Sequence, residues 1–118
     1  MIELFYMVSL ALAQSASPAL DTPTGAVPRY DPGNWFPQDS YPKDARKNGD
    51  QGSVSIRLEI DETGKPTACT VTVSSGFASL DDHSCKTAMK NARFKAVVVD
   101  GVAVPSHTFI RNIVWRKP

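Results

Sequence analysis

The segment 52–61 leaves the chain little choice of fold, because Val54, Ile56, Leu58 and Ile60 alternate without a break against Ser53, Ser55, Arg57 and Glu59. A period of two puts the four aliphatic residues on one face, which describes a strand with one side buried and the other wet. Asp61-Glu62-Thr63-Gly64 then supplies a turn in which Gly64 is free to take a positive φ, and Pro66 restarts the chain into a second strand over residues 67–74. That strand points Cys69, Val71 and Val73 inward and Thr70 and Thr72 outward. The pair reads as a hairpin.

Helices are legible on both sides of the hairpin. Before it, Trp35 and Phe36 read as an apolar lid ahead of Tyr41-Pro42. Pro42 suits the first helical position, where its missing N–H costs nothing, and Asn48-Gly49 gives a left-handed stop, with Ala45 facing inward. After the hairpin, Ser79-Leu80-Asp81-Asp82 offers an N-cap serine with an acid three residues on. The stripe Leu80, Ser84, Cys85, Ala88, Met89 and Ala92 is narrow and built of small residues, as expected where a helix lies close on a sheet, and Phe94 plugs its end. Asp81 and Asp82 early in this helix, with Lys86, Lys90 and Arg93 late, complement its dipole and need no further explanation. Beyond a loop through Asp100-Gly101 and Pro105, residues 108–115 are rich in β-branched and aromatic types and read as the last strand. A right-handed crossover lays that strand beside the first, antiparallel to it and at an edge of the sheet.

Four blocks in this order, Tyr-Pro-Lys-Asp-Ala-Arg from Tyr41, Gly-Ser-Val-Ser-Ile-Arg-Leu-Glu-Ile-Asp from Gly52, Thr-Val-Thr-Val-Ser-Ser-Gly from Thr70 and the run from Leu80 to Arg93-Phe94, resemble the TonB C-terminal domain family over about the last two thirds of the chain. The Ser-Ser-Gly followed by Leu-Asp, and the Arg-Phe that closes the helix, carry most of the likeness. The resemblance implies an α+β fold of the TonB/TolA C-terminal type: a short helix, then β-β-α-β, with a three-stranded antiparallel sheet covered on one face by helices. It also implies a periplasmic module that holds an extended peptide against a sheet edge, without catalysis and without a cofactor. By that likeness Phe109, Ile110, Arg111, Asn112, Ile113 and Val114 form the peptide-binding edge. The implied partner is an extended peptide of an outer-membrane transporter or another envelope protein.

The first residues differ in character from the rest. Residues 4–13 are an apolar run ending in Ala11-Leu12-Ala13, the small-x-small pattern of a signal-peptidase site, so cleavage between Ala13 and Gln14 is expected. Counted from Ile2, the apolar part spans about 18 Å as a helix against the ~30 Å of a hydrocarbon core, which favours cleavage over anchoring. Glu3 and the absence of Lys or Arg before the run depart from the usual positive start; a start further upstream would allow an inner-membrane anchor. Residues 14–34, with prolines at 18, 23, 28 and 32, read as a Pro/Ser-rich linker, which leaves 35–118 as the domain. Energy-transducing relatives carry a longer spacer behind a true membrane helix.

The two cysteines, Cys69 and Cys85, both follow the expected cleavage point. Cys69 shares a strand face with Val71 and Val73, and Cys85 a helical stripe with Ala88 and Met89, so both point into one core. In an oxidising compartment they are expected to pair, and closing the loop between them is worth ~3 kcal/mol by chain entropy. Two buried free thiols are the alternative.

With 118 residues and a net charge of +1, the chain suits one small domain and has no basic stripe to draw phosphate backbones, which argues against nucleic acid. Cys69, Cys85, His83 and His107 fit no zinc-ligand spacing. Ser74 and Ser75 with His83 and Asp81 lack the glycine before serine that a nucleophile elbow requires. Arg93 and Arg111 are single cations of the kind usually solvated. The expectation is therefore a periplasmic peptide-binding adaptor in transport or energy transduction. The alternative is a structural envelope module that forms a homodimer through the edge strand or contacts cell-wall glycan.

Overall fold

A computed structural model describes residues 21–116, and the expected signal segment with its Ala13-Gln14 cleavage site lies outside them. Two 3-10 turns, Pro32–Asn34 and Gln38–Ser40, lead into a short helix α1 (Lys43–Asn48). Strands β1 (Gly52–Ile60) and β2 (Pro66–Val73) follow, then helix α2 (Ala78–Asn91), a small ribbon of β3 (Val97–Val99) and β4 (Val102–Val104), and finally β5 (Ser106–Trp115). The main sheet runs β2-β1-β5 with both pairings antiparallel, and the helices cover one face. This is the α+β architecture expected, with the last strand at an edge beside the first.

The alternation in β1 sets the layers. Val54, Ile56, Leu58 and Ile60 are buried, as are Leu80, Ala88 and Ala92 from α2 and Ala45 from α1. Trp35 closes against Phe94 edge to face, with ring centroids 5.2 Å apart. Cys69 in β2 and Cys85 in α2 are joined by a disulfide, with their Cα atoms 5.7 Å apart, so the helix is bolted to the outer strand of the hairpin. Gly64 shows why its turn needs glycine. At φ 92° it sits so close to the end of α2 that a Cβ would lie 2.0 Å from the Phe94 carbonyl oxygen, and its own carbonyl accepts the Phe94 N–H at 3.0 Å.

Four local expectations are corrected. Val73 does not point inward with Cys69 and Val71: it is exposed, because the register shifts between Ile56–Val71 and Ser55–Val73 and sets it opposite Ser55. The second helix is not capped by Ser79: it begins at Ala78, and its N-cap, Phe77, makes no side-chain cap bond. Asp81 instead turns its carboxylate backward to accept from the Ser74 and Ser75 hydroxyls and the Ser75 N–H, tying the helix start to the end of β2, while Ser79 donates to Asp50. Pro42 is the N-cap of α1 instead of its first residue, and Gly49 ends it at φ 76° as expected. The stretch around Asp100-Gly101 is a hairpin of its own instead of a loop. Both turn residues have positive φ, which suits Asp-Gly between β-branched runs.

Trp115 ties the last strand to the rest. It is fully buried, its Nε1–H donates to Ser84 Oγ at 2.8 Å, and that hydroxyl donates in turn to the Leu80 carbonyl at 2.8 Å. Phe36, Tyr41 and His83 pack around its ring. His83 Nε2 lies 3.1 Å from Ser40 Oγ and 3.3 Å from Thr87 Oγ1. Burial, helped by the charge of Lys86, holds its pKa below the ordinary 6.5.

Two outcomes follow for stability. Ser84→Ala leaves a buried indole N–H without its acceptor and is expected to cost about 1–3 kcal/mol, read as a lower urea midpoint at unchanged slope. Because the folded-state pKa of His83 is depressed, the neutral ring's contribution is complete above the ordinary value and is lost as pH falls through the folded one. The thermal midpoint should therefore drop between about pH 7 and pH 5, and His83→Gln should flatten that slope. An unchanged slope in the variant would assign the pH dependence to other groups.

Candidate functional site

All six residues read as the peptide edge, Phe109, Ile110, Arg111, Asn112, Ile113 and Val114, lie on β5, whose outer side has no strand beside it among the described residues. A bulge interrupts them. Ile56 pairs with Ile110 and Val54 with Ile113, so two steps on β1 face three on β5. Asn112 takes up the extra residue at φ 60°, with its N–H donated to Ser55 Oγ at 3.0 Å. The extra residue resets the alternation, which is how Ile113 and Trp115 come to share the core face with Ile110 although both stand an odd number of residues from it. Ile113 is buried, whereas Phe109 and Val114 are exposed, so the apolar residues on two faces are explained by the bulge.

The same bulge decides which backbone groups face outward. The N–H of His107 leaves the sheet to meet the Pro23 carbonyl at 3.0 Å, so by antiparallel alternation Phe109 also turns its backbone groups outward, up to the bulge that begins after Ile110. Past the bulge the outward positions are Val114 and Arg116. There the side-chain amide of Gln38 acts as a surrogate strand, donating to the Val114 carbonyl at 2.7 Å and accepting from the Arg116 N–H at 3.2 Å. Both ends of the edge are thus closed from within, while the stretch at Phe109 has no backbone partner among the described residues.

Residues 21–40 frame this open stretch. The Val27 carbonyl accepts from the Lys95 N–H at 2.8 Å, Arg29 N–H donates to the Arg93 carbonyl at 3.0 Å, and Pro28 bridges Phe94. Asn91 holds the Trp35 carbonyl at 2.8 Å. Between this arc and β5 lies a groove of about 430 Å³, walled by Ala26, Pro28, Trp35, Phe36 and Phe94 on one side and by residues 108–113 on the other. Trp35 is buried in that wall, and its Nε1–H has no partner among the described residues. The part of the Pro-rich stretch from Asp21 onward is therefore docked on the domain, which its composition did not signal; only the aromatic pair Trp35-Phe36 announced the fold-back.

The outer face beside the edge carries charges of both signs, Arg57 and Arg111 with Asp21 and Glu59. Phe109 lies between two guanidinium groups, with Arg111 Cζ 4.9 Å and Arg57 Cζ 5.8 Å from its ring centroid. Arg57 is paired with Asp21 at 2.8 Å and with Glu59 two residues along the same strand, whereas Arg111 has no carboxylate within ion-pair distance among the described residues. The hydrogen bond from Arg57 is the main cause that holds the Asp21 carboxyl down at a pKa of about 2, so this pair is intact at neutral pH. His107 is buried beneath it, with Nδ1 2.8 Å from Thr22 Oγ1.

The other constellations do not converge on chemistry. Cys69 and Cys85 are bonded to each other, and Ser74 and Ser75 are engaged with Asp81 in the turn before α2. Among the described residues no helix is long and apolar enough to cross a membrane.

The family model for the C-terminal region of the Gram-negative bacterial TonB protein matches residues 37–116. No curated protein and no solved structure matches the chain. The match covers well over half of the sequence, and the chain belongs to the TonB C-terminal family.

Proposed function

We propose that this TonB C-terminal domain holds an extended peptide from an outer-membrane transporter, or from another envelope protein, by strand addition at β5. Membership of the family makes the chain a TonB-like module of the Gram-negative periplasm, a protein-interaction domain of transport energy transduction. The partner and the mode of contact are the proposal.

One observation carries it: the outward backbone groups at Phe109 have no partner among the described residues and open onto an apolar groove, in an edge whose two ends are capped. An unpaired strand edge is a template for another extended chain, with main-chain hydrogen bonds giving affinity and flanking pockets giving selection. A peptide lying beside Phe109 and Arg111 would place alternate side chains toward the groove wall of Trp35, Phe36 and Phe94 and toward the outer face that carries Arg111. Ile110 and Ile113 act from beneath, as groove lining, and Asn112 limits the length of regular pairing by its bulge. Val114 belongs to the stretch that Gln38 already closes. The same capping counts against the homodimer reading, because two edges closed at both ends have little ladder to share.

Amide chemical-shift titration with short synthetic peptides copied from transporter N-termini is expected to move Phe109, Ile110 and Arg111 most. Arg111→Glu should weaken peptides that carry an acidic residue by roughly two- to fivefold, in line with a charge contact of ~0.5–1 kcal/mol at an exposed site. Peptides that leave all three amides unmoved at millimolar concentration would remove the reading.

A further inference from the structure

Three consecutive residues each satisfy one group at the start of the edge. The Asp21 carboxylate takes both terminal nitrogens of Arg57, at 2.8 and 3.1 Å, Thr22 Oγ1 meets the His107 ring, and the Pro23 carbonyl accepts the His107 N–H. These are the groups an extended chain offers in strand addition: a main-chain carbonyl for the ladder and side chains for the adjoining face.

The hold is incomplete in a specific way. Proline has no N–H, so Pro23 cannot answer the outward carbonyl of His107, and the segment completes only half a ladder step. Asp21, Pro23, Thr24 and Gly25 are exposed, and the first residue packed on the core is Ala26. Gly25 sits at φ 90° with open space around it, between this light attachment and the firmer one at Val27 and Pro28. A short segment held by exposed polar contacts and joined through a glycine is the kind that opens locally while the domain stays folded.

Resting on the peptide-edge reading above, we propose that residues 21–25 are a displaceable strap that stands in for one end of the partner. The partner that replaces it presents an acidic side chain to Arg57 and a main-chain carbonyl to His107. With the strap in place, pairing is confined to the stretch between Pro23 and Gln38. With it lifted about Gly25, the ladder extends from Phe109 to His107, and Arg57 is freed for the incoming acid. Charge supports this choice of partner: once Asp21 leaves, Arg57 and Arg111 lie beside Phe109 with one paired carboxylate between them among the described residues, Glu59 on Arg57.

The test compares the full chain with its Asp21→Asn/Thr22→Ala variant, which alters no core residue. Each is titrated with a synthetic transporter N-terminal peptide containing one acidic residue, and with the same peptide carrying the corresponding amide. The variant should bind the acidic peptide roughly fivefold tighter, and the His107 amide should shift together with that of Phe109 in both proteins. The gain should shrink with the amide peptide. Equal affinity in the two proteins, with Phe109 moving and His107 still, would overturn the strap while leaving the edge reading intact. A gain of the same size for the amide peptide would overturn the assigned partner chemistry. No movement at Phe109 in either protein would remove the edge reading and the strap with it.

Discussion

The hydrogen bond from the Trp115 indole to Ser84 is the contact on which the rest depends, because it fixes the last strand to the helix that crosses the sheet. A buried indole needs an acceptor, and a buried serine inside a helix needs a use for its hydroxyl; here each supplies the other, with the Leu80 carbonyl taking the serine's proton. Phe36, Tyr41 and His83 then close on the ring, so the aromatic fold-back, the loop before α1 and the middle of α2 meet at one residue of β5. The strand end is therefore rigid. Its outer side is consequently presented in a fixed position.

A fixed, unpaired strand is also a hazard, since it invites any other strand. The chain limits this with three devices. Gln38 closes the end near Trp115, Pro23 takes the His107 N–H at the start, and the Asn112 bulge breaks the regular ladder between them. What remains open is short and sits beside an apolar groove. Such an arrangement favours a segment that can enter under residues 21–40 over a flat strand from another copy of the domain. The disulfide acts on the opposite side, holding β2 to α2 where the sheet has its other edge.

Much of this was legible from residue order. The alternation in β1, the Gly64 turn, the stop at Gly49, the facing of Cys69 and Cys85 and the placing of the last strand beside the first all follow from period, turn chemistry and crossover handedness. Three features were not. The bulge hides in the sequence because Ile110 and Ile113 stand three apart, a spacing that a regular strand assigns to opposite faces, and only Asn112 with its tolerance of positive φ hints at the reset. The ribbon of β3 and β4 escaped because none of its residues is buried, although Asp100-Gly101 between valines was a sufficient signal. The docking of residues 21–34 escaped because it is made mostly of backbone bonds, the Asp21–Arg57 ion pair and the Thr22–His107 contact, with Ala26 as a single small apolar anchor, which leaves no periodic apolar mark.

The edge of β5 is open at Phe109, with the amides of His107 and Arg116 engaged on either side of it. Amide hydrogen exchange of the free protein, followed residue by residue, tests this most directly. Phe109 should exchange close to the rate of an exposed amide, while His107 and Arg116 are slowed by their Pro23 and Gln38 acceptors and Ile110 by its pairing with β1. A Phe109 amide as protected as that of Ile110 would show the edge to be covered in the free domain, and would contradict the account.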